Sequence, residues 1–202
     1  MPESTYTRSE LETMVEKWLQ ANRDAEAEGN WAKHLGPMYT EDAHYSWNVG
    51  PYEEFNAKGR KEIEELALGY HMEGFQGWQY PYHDTIIDDK RGTVICFWKQ
   101  IAPYTRPDGS RYEVAGIGGS WFEYGGNFQW RWQKDFFDFG NVMELFLELA
   151  GDGKLEDPVK KKIRIKARGG VLPGHTQLRK KPSLLRQLKN YSAMIRIAFL
   201  GK

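Results

Sequence analysis

An aspartate at the end of an alternating aromatic segment is the residue of this sequence best placed to move protons. From Phe128 to Asp138 apolar and polar residues alternate, which predicts a strand with Asp138 on its aromatic, inward face. Ionisation of a carboxyl group in an apolar interior is costly, so its pKa rises. Such a group can act as a general acid or base near neutral pH. The aromatic face comprises Phe128, Trp130, Trp132 and Phe136, and the opposite face Gln129, Arg131, Gln133 and Asp135.

A structural role for Asp138 is the alternative. Asp138-Phe-Gly-Asn141 precedes a segment with helical character, and aspartate is a preferred residue at helix N-termini. Catalysis and helix capping therefore both remain open for this carboxylate.

Three further residues are candidate catalytic partners of Asp138. Tyr45 is predicted to face inward from an alternating strand, where its hydroxyl can donate to a carbonyl or a developing oxyanion. His71 and His83 are candidates because histidine titrates in the useful pH range. The alternatives are a tyrosine satisfied within the core and histidines with surface or structural roles.

The aromatic residues suggest an apolar ligand. The chain of 202 residues contains 8 Trp, 11 Tyr and 10 Phe, which is enough to build a core and line a pocket. The candidate wall residues, each of which could instead belong to the core, are Trp47, Trp98, Trp130, Trp132 and Phe136.

No motif for a metal or a cofactor is present in the sequence. It contains no HExxH or HxH pattern, no phosphate-binding loop and no dinucleotide fingerprint, because Gly116-Ile-Gly-Gly119 lacks the required strand-to-helix context. Cys96 is the only cysteine, so no intrachain disulfide can form. Its apolar neighbours predict a buried structural thiol. We therefore predict no cofactor and no metal.

The elements that would position these residues are helices followed by strands, an α+β arrangement in which a curved antiparallel sheet and N-terminal helices surround a pocket. Short connections with turn residues join the last four strands into an antiparallel meander. Glycines within the third of these strands predict either a bend over a cavity or a simple bulge. The predicted helices are 9–28, 31–38, a stripe over 63–70 and 141–150, and the predicted strands are 43–49, 78–88, 93–102, 111–124 and 128–139.

The charge distribution divides the chain. Residues 1–150 have a net charge of −11 and residues 151–202 a net charge of +11. We predict a domain over 1–150 and a basic C-terminal extension over 151–202, with a final helix capped by Ser183. The extension could bind nucleic acid or an anionic membrane, but packing on the acidic body or on a dimer partner is favoured. No nucleic-acid partner is expected, because aromatic residues do not interleave with the basic run.

Residues 8–150 resemble the nuclear transport factor 2-like, or SnoaL-like, cone-fold family. The resemblance rests on Tyr39-Thr-Glu-Asp-Ala43 at a helix-to-strand junction and on Gly59-Arg60-Lys-Glu-Ile63 at a helix start. Asp108-Gly109, the glycine-rich strand and Lys134-Asp-Phe-Phe-Asp138 resemble the last hairpin of the family. The family includes limonene epoxide hydrolases, ketosteroid isomerases, scytalone dehydratases and polyketide cyclases, together with proteins that only bind ligands.

Epoxide hydrolysis is disfavoured within that family. By this resemblance Asp138 stands in the place of a catalytic aspartate of limonene epoxide hydrolases. Tyr45 and Asn48, with a spacing off by one residue, resemble the tyrosine and asparagine that hold the water there. The hydrolases also carry an Arg-x-Asp pair on a neighbouring strand, and Phe97-Trp-Lys-Gln-Ile101 contains neither residue of that pair.

The resemblance and the residues together predict a cofactor-independent acid/base enzyme acting on a hydrophobic small molecule. A dehydratase, an isomerase or a cyclase would use this chemistry. The alternative is a non-catalytic ligand-binding or dimeric assembly module of the same fold. A homodimer is implied by the resemblance. No apolar run is long enough to insert stably in a bilayer and no signal peptide is recognisable, so a cytoplasmic location is expected.

Overall fold

A computed structural model describes residues 6–201. Helices at the start of the chain are followed by a sheet, two further helices, a short strand and a terminal helix. The helices are α1 (Arg8–Glu28), α2 (Trp31–Leu35), α3 (Arg60–Glu62, continued by a π-helical turn over Ile63–Ala67), α4 (Phe139–Gly151), α5 (Asp157–Ala167) and α6 (Leu184–Leu200). The strands are β1 (Tyr39–Val49), β2 (Glu53–Lys58), β3 (Tyr82–Asp88), β4 (Thr93–Trp98), β5 (Ile101–Thr105), β6 (Arg111–Glu113), β7 (Gly118–Gly126), β8 (Gln129–Phe136) and β9 (His175–Gln177).

A seven-stranded sheet organises the molecule. Its strand order is β3-β4-β7-β8-β1-β2-β9, and a separate pair is formed by β5 and β6. All neighbours in the large sheet are antiparallel except β1 and β8, which run parallel. The predicted α+β class is confirmed, and the sheet is mixed rather than wholly antiparallel.

Helix α1 covers the inner face of the sheet. The Thr7 side chain accepts a hydrogen bond from the Glu10 amide at its N-terminus, and Gly29 ends the helix with a φ of 66°. Trp18 is buried on the apolar side of the helix, where it packs edge-on against Phe122 and Trp130. These rings form a large part of the core between the helix and the sheet.

A β-bulge in β8 changes which side chains point inward. Trp130 pairs with Tyr124 on β7 and Trp132 pairs with Glu123, so Arg131 is an extra residue without a partner on that strand. After the bulge the side chains alternate again between the two faces of the sheet, but odd-numbered residues now point inward instead of even-numbered ones. Gln133 is therefore buried on the inner face, whereas Trp132 turns towards the outer face. The prediction of a single uninterrupted alternation from Phe128 to Asp138 is wrong for this reason.

The glycines of β7 allow rings to approach the strand on both sides. A β-carbon on Gly118 would overlap the ring of Trp98, and one on Gly119 would overlap the ring of Phe136. Close approach of side chains to the backbone therefore explains both glycines.

The C-terminal extension divides into a packed part and an unpacked part. Leu155, Val159 and Leu172 are buried against the body, and β9 adds to the sheet beside β2. Helix α6, in contrast, buries none of its residues. Burial thus ends before the last helix.

Candidate active site

A cavity of about 600 Å³ lies between the inner face of the sheet, the helices and the C-terminal extension. Most of its lining is aromatic or aliphatic, and it includes Tyr45, Trp47 and Trp98, as well as residues of α5. A cavity of this size and character suits a small hydrophobic ligand. The extension supplies part of the wall, because Val159 and Leu172 line the cavity as well.

Asp135, on β8, is a buried carboxylate that lines this cavity. Its Oδ2 accepts a hydrogen bond of 2.5 Å from the Tyr45 hydroxyl. Its Oδ1 accepts hydrogen bonds of 2.6 Å from Ser120 Oγ and 2.8 Å from Gln133 Nε2. These donors come from β1, β7 and β8, the three adjacent central strands, so the sheet itself holds the carboxylate in place.

A second layer of hydrogen bonds orients the donors. Trp98 Nε1 donates to Ser120 Oγ over 3.0 Å, which leaves the serine hydrogen free to point at Asp135. The Tyr39 hydroxyl donates to Gln133 Oε1, so the amide nitrogen of Gln133 faces the carboxylate. All three groups around Asp135 are thereby arranged as donors to it.

Burial and hydrogen bonding act on this carboxyl group in opposite directions. Burial raises the pKa of Asp135, while hydrogen bonds from Gln133, Ser120 and Tyr45 partly offset that rise by stabilising the ionised form. Burial, and then the charge of Asp135, raises the pKa of Tyr45 well above its ordinary value. Tyr45 therefore stays protonated as the donor, and the proton-accepting role in the pair falls to Asp135.

Tyr82 supplies another hydroxyl to the cavity. It lines the wall, and its oxygen accepts a hydrogen bond of 3.4 Å from Trp18 Nε1. Burial, with the nearby charge of Asp135, raises the pKa of Tyr82 above its ordinary value. The group is thus a neutral hydroxyl able to donate to a ligand oxygen.

A second polar group, which we call the Glu53 cluster, joins the extension to the body. Glu53 on β2 forms ion pairs with Lys166 and, at 3.6 Å, with Lys181, and its Oε2 lies 3.4 Å from Nδ1 of His175. All four side chains line the cavity. Burial raises the pKa of Glu53, but hydrogen bonds from Lys166 and His175 outweigh it and hold that pKa below its ordinary value.

His71 lies beside the Glu53 cluster. Its Nε2 donates to the carbonyl oxygen of Pro173 over 3.0 Å, and its ring stacks on His175 with centroids 5.0 Å apart. Burial lowers the pKa of His71 to about 3, so the ring is neutral at physiological pH. The imidazole lines the cavity and also holds the extension in place.

Lys162 is a buried lysine contributed by α5. Its Nζ donates to the carbonyl oxygens of His71, at 3.1 Å, and Glu73, at 2.9 Å. Burial lowers the pKa of this ammonium group to about 8. The residue lines the cavity, so part of the wall carries a cation with a perturbed pKa.

Asp138 occupies a different environment from the predicted one. It is exposed, and its Oδ1 accepts hydrogen bonds from the amides of Gly140, at 2.8 Å, and Asn141, at 3.2 Å. The residue is the N-cap of α4. The prediction that Asp138 faces the apolar interior is wrong, because the bulge at Arg131 changes the register and β8 ends before this residue.

The structure separates the other predicted site residues into two groups. Those that line the cavity are Tyr45, His71, Trp47 and Trp98. Trp130 is fully buried in the core, and His83 is on β3, where its Nδ1 lies 2.9 Å from Asp84. Trp132 packs edge-on against Trp121, while Phe136 is exposed. For Trp132 and Phe136, the change of phase in β8 overturns the predicted inward orientation.

The sequence pattern did not predict the polar centre of the cavity, which is formed by Ser120, Gln133 and Asp135. Gln133 and Asp135 alternate as an inward-facing pair would, but the preceding tryptophans indicated the opposite phase. Ser120 follows the paired glycines and carried no separate signal. A bulge that depends on pairing with β7 cannot be located from periodicity on one strand.

Cys96 fits its predicted structural role. The thiol is buried, and burial raises its pKa to about 11, which leaves it protonated. In the described part of the chain, residues 6–201, no three His, Cys, Asp or Glu side chains are arranged to hold a metal ion.

Comparison with known proteins identifies the fold. No protein-family model and no curated protein matches the chain. A protein of Jannaschia sp. CCS1 described as a SnoaL-like polyketide cyclase matches with a TM-score of 0.52 and 17% identity, over 69% of this chain and 96% of that one. PrhC from Penicillium brasilianum matches with a TM-score of 0.53 and 11% identity, over 72% and 93% of the two chains. An NTF2-like protein from Anabaena variabilis has a TM-score of 0.50 and 20% identity, over 66% and 92%.

The chain has the NTF2-like, or SnoaL-like, cone fold, as its sequence predicted. At these identities the likeness extends to the fold alone. Proteins of one fold carry out different functions, so the function must be argued from the cavity and its polar groups.

Proposed function

We propose that the protein is a cofactor-independent acid/base enzyme that isomerises, cyclises or dehydrates a hydrophobic small molecule, and that Asp135 transfers the proton. The observation that carries this proposal is the buried Asp135 carboxylate, oriented by three donors, on the wall of a largely apolar cavity of about 600 Å³. A cytoplasmic location remains part of the proposal.

The proposed reaction begins with removal of a proton from a carbon next to an electron-withdrawing group of the substrate. Asp135 accepts this proton, and the electron pair of the broken C–H bond moves towards the oxygen of the electron-withdrawing group. The same carboxyl group returns the proton to another carbon in isomerisation or to a leaving hydroxyl in dehydration. No electrons are gained or lost by the protein, so this chemistry requires no redox cofactor.

Two tyrosines have different parts in this proposal. Tyr45 already donates to Asp135, so it holds the carboxylate in position and stabilises its charge. Tyr82 is the candidate donor to the substrate oxygen, because it is a neutral hydroxyl on the same cavity wall. A hydrogen bond to an oxygen that gains charge contributes most in a site from which water is excluded.

Exchange of hydrogen for deuterium tests proton abstraction before the natural substrate is known. Hydrophobic cyclic ketones would be incubated with the protein in heavy water, and deuterium uptake would be followed by mass spectrometry. We expect faster uptake than in buffer with at least one ketone, and loss of the acceleration in Asp135→Asn. Acceleration that persists in Asp135→Asn would contradict the role of Asp135.

A non-catalytic binding protein is the second candidate. It is favoured by the fact that Asp135 has its hydrogen-bond donors before any ligand enters. In that case ketones would bind, as measured by quenching of tryptophan fluorescence, but none would exchange faster than in buffer.

We also propose a homodimer, formed through the outer face of the sheet. Trp121 and Phe136 expose 44% and 43% of their surfaces there, and Trp132 packs edge-on against Trp121. Adjacent exposed aromatic rings are typical of protein contacts. The mass in solution, measured by light scattering, tests this proposal.

A further inference from the structure

Helix α6 carries an apolar surface that its own chain does not cover. Leu184, Leu188, Tyr191, Ile195 and Phe199 follow one another at helical spacing and therefore share one side of the helix. Each is between 56% and 81% exposed. Such a helix needs an apolar environment that the rest of the described chain does not provide.

The rest of α6 carries basic residues together with further exposed apolar residues, among them Leu185 and Ile197. Arg186, Lys189 and Arg196 lie away from the centre of the apolar stripe, and α6 contains no acidic residue. The absence of acidic residues extends further, since residues 158–202 contain 13 Lys and Arg and no Asp or Glu. An apolar stripe beside basic side chains is the pattern of helices that lie in the surface of an anionic membrane.

We propose that α6 is a peripheral membrane-binding helix that lies flat on anionic lipid bilayers. The apolar stripe enters the boundary between headgroups and acyl chains, and the basic side chains contact lipid phosphates. Among residues 6–201, no helix is long and apolar enough to cross a membrane, which fits a helix that lies on the surface. Ser183 caps the start of α6 by accepting a hydrogen bond from the Arg186 amide, so the helix begins at a defined point.

Because α6 begins close to the cavity, membrane binding by α6 would also bring the cavity near the lipid. Lys181, three residues before Leu184, lines the cavity. Three residues of chain span about 10 Å at most, so a membrane-bound α6 holds this part of the cavity wall close to the lipid surface. A hydrophobic ligand dissolved in the bilayer would then be near the cavity.

A second copy of the chain is the competing partner, because its acidic body could attract the basic helix. The acidic body would account for the charge of α6, whereas its exposed rings Trp121 and Phe136 are assigned to the contact between two bodies. A bilayer accounts for both properties at once, and we therefore assign the helix to lipid. The proposal does not depend on catalysis by Asp135.

Sedimentation of the full chain with vesicles tests the proposal. We expect binding to vesicles of phosphatidylcholine mixed equally with phosphatidylglycerol, about tenfold weaker binding to phosphatidylcholine alone, and weakening by salt. The double variant Leu188→Glu with Ile195→Glu should lose binding. The double variant Asn190→Glu with Ala193→Glu makes the same change of charge outside the apolar stripe, so it should retain more binding than the first.

The thermal unfolding temperature of both variants should equal that of the parent, because α6 is not part of the core. Equal loss of binding in the two variants would show that charge alone matters and would overturn the proposed insertion of the apolar stripe. Absence of binding to either vesicle would also overturn the proposal. So would conversion of a dimer to a monomer by Leu188→Glu with Ile195→Glu, since that result assigns the stripe to a second copy.

Discussion

The Tyr45 hydroxyl lies 2.5 Å from Asp135 Oδ2, and this hydrogen bond joins β1 to β8, the pair of strands that run parallel in the sheet. Tyr45 pairs with Gln133, and Trp47 pairs with Asp135, along the same ladder. Strand pairing thus places a hydroxyl and a carboxylate from distant parts of the sequence at one point of the cavity.

Removal of the Tyr45 hydroxyl should raise the pKa of Asp135 further. The hydrogen bond from Tyr45 is among the interactions that lower this pKa, so Tyr45→Phe removes stabilisation of the ionised form. If Asp135 acts as the base, the pH dependence of deuterium exchange should move to higher pH, with a rate about 10- to 100-fold lower at neutral pH. Tyr39→Phe is the control because Tyr39 contacts Gln133 rather than the carboxylate, and it should move the profile less. An unchanged pH profile of exchange in Tyr45→Phe would contradict the proposed effect of the Tyr45 hydroxyl on the pKa of Asp135.

The stability of Asp135→Asn relative to the parent should depend on pH. The pKa of Asp135 is raised in the folded chain, so the stabilisation from its protonated form is complete below the unfolded pKa of about 3.9 and is lost as the pH rises through the folded value. Asparagine does not titrate. The free energy of unfolding of Asp135→Asn, relative to that of the parent, should therefore increase as the pH rises from 4 to 7. The increase is about 1.4 kcal/mol for each tenfold change in proton affinity between the folded and unfolded states.

Denaturant unfolding across that pH range provides the measurement. Asp138→Asn is the matched control, since Asp138 is exposed and asparagine is also a good helix cap. A fall in the stability of Asp135→Asn relative to the parent with rising pH would contradict the raised pKa.

Neutralisation of Glu53 should loosen the C-terminal extension. Glu53→Gln removes the charge that faces Lys166, Lys181 and His175, and since the lysines are partly exposed we expect a loss of about 1 kcal/mol at neutral pH. The pKa of Glu53 is lowered, so its stabilisation is present above the unfolded value and is lost as the pH falls through the folded value. The two proteins should converge at acidic pH.

Hydrogen exchange of the β9 amides is the direct measurement, and it should be faster in Glu53→Gln. Glu54→Gln is the control, because Glu54 pairs with Lys134 at 3.8 Å and takes no part in the Glu53 cluster. Equal exchange rates in the two variants would contradict the anchoring role of Glu53.

A charge in the outer aromatic patch should weaken the proposed dimer. Trp121→Lys places an ammonium group where the ring is 44% exposed, so it should shift the mass from dimer to monomer with little change in the unfolding temperature. Light scattering at several concentrations would measure this shift. A monomeric parent protein would contradict the proposal at once.

The sequence predicted the fold because helical stripes, strand alternation and turn residues are local signals. Tyr45 and Trp47 were predicted to face inward for the same reason, and both line the cavity. The inward face of β8 was assigned correctly at Trp130 but wrongly beyond it, because the bulge at Arg131 arises from pairing with β7, which no local pattern records. The cavity residues of the extension, such as Lys162, depend on tertiary packing of α5 and were equally out of reach.

The most direct test of the central claim compares Asp135→Asn with Asp138→Asn in the deuterium-exchange assay. The account predicts that Asp135→Asn still binds the ketone, as measured by tryptophan fluorescence, but loses accelerated exchange. Asp138→Asn should exchange at the parent rate, because asparagine preserves the cap of α4. Parent-like exchange in Asp135→Asn, together with loss of exchange in a folded Asp138→Asn, would contradict the account and return the catalytic role to Asp138.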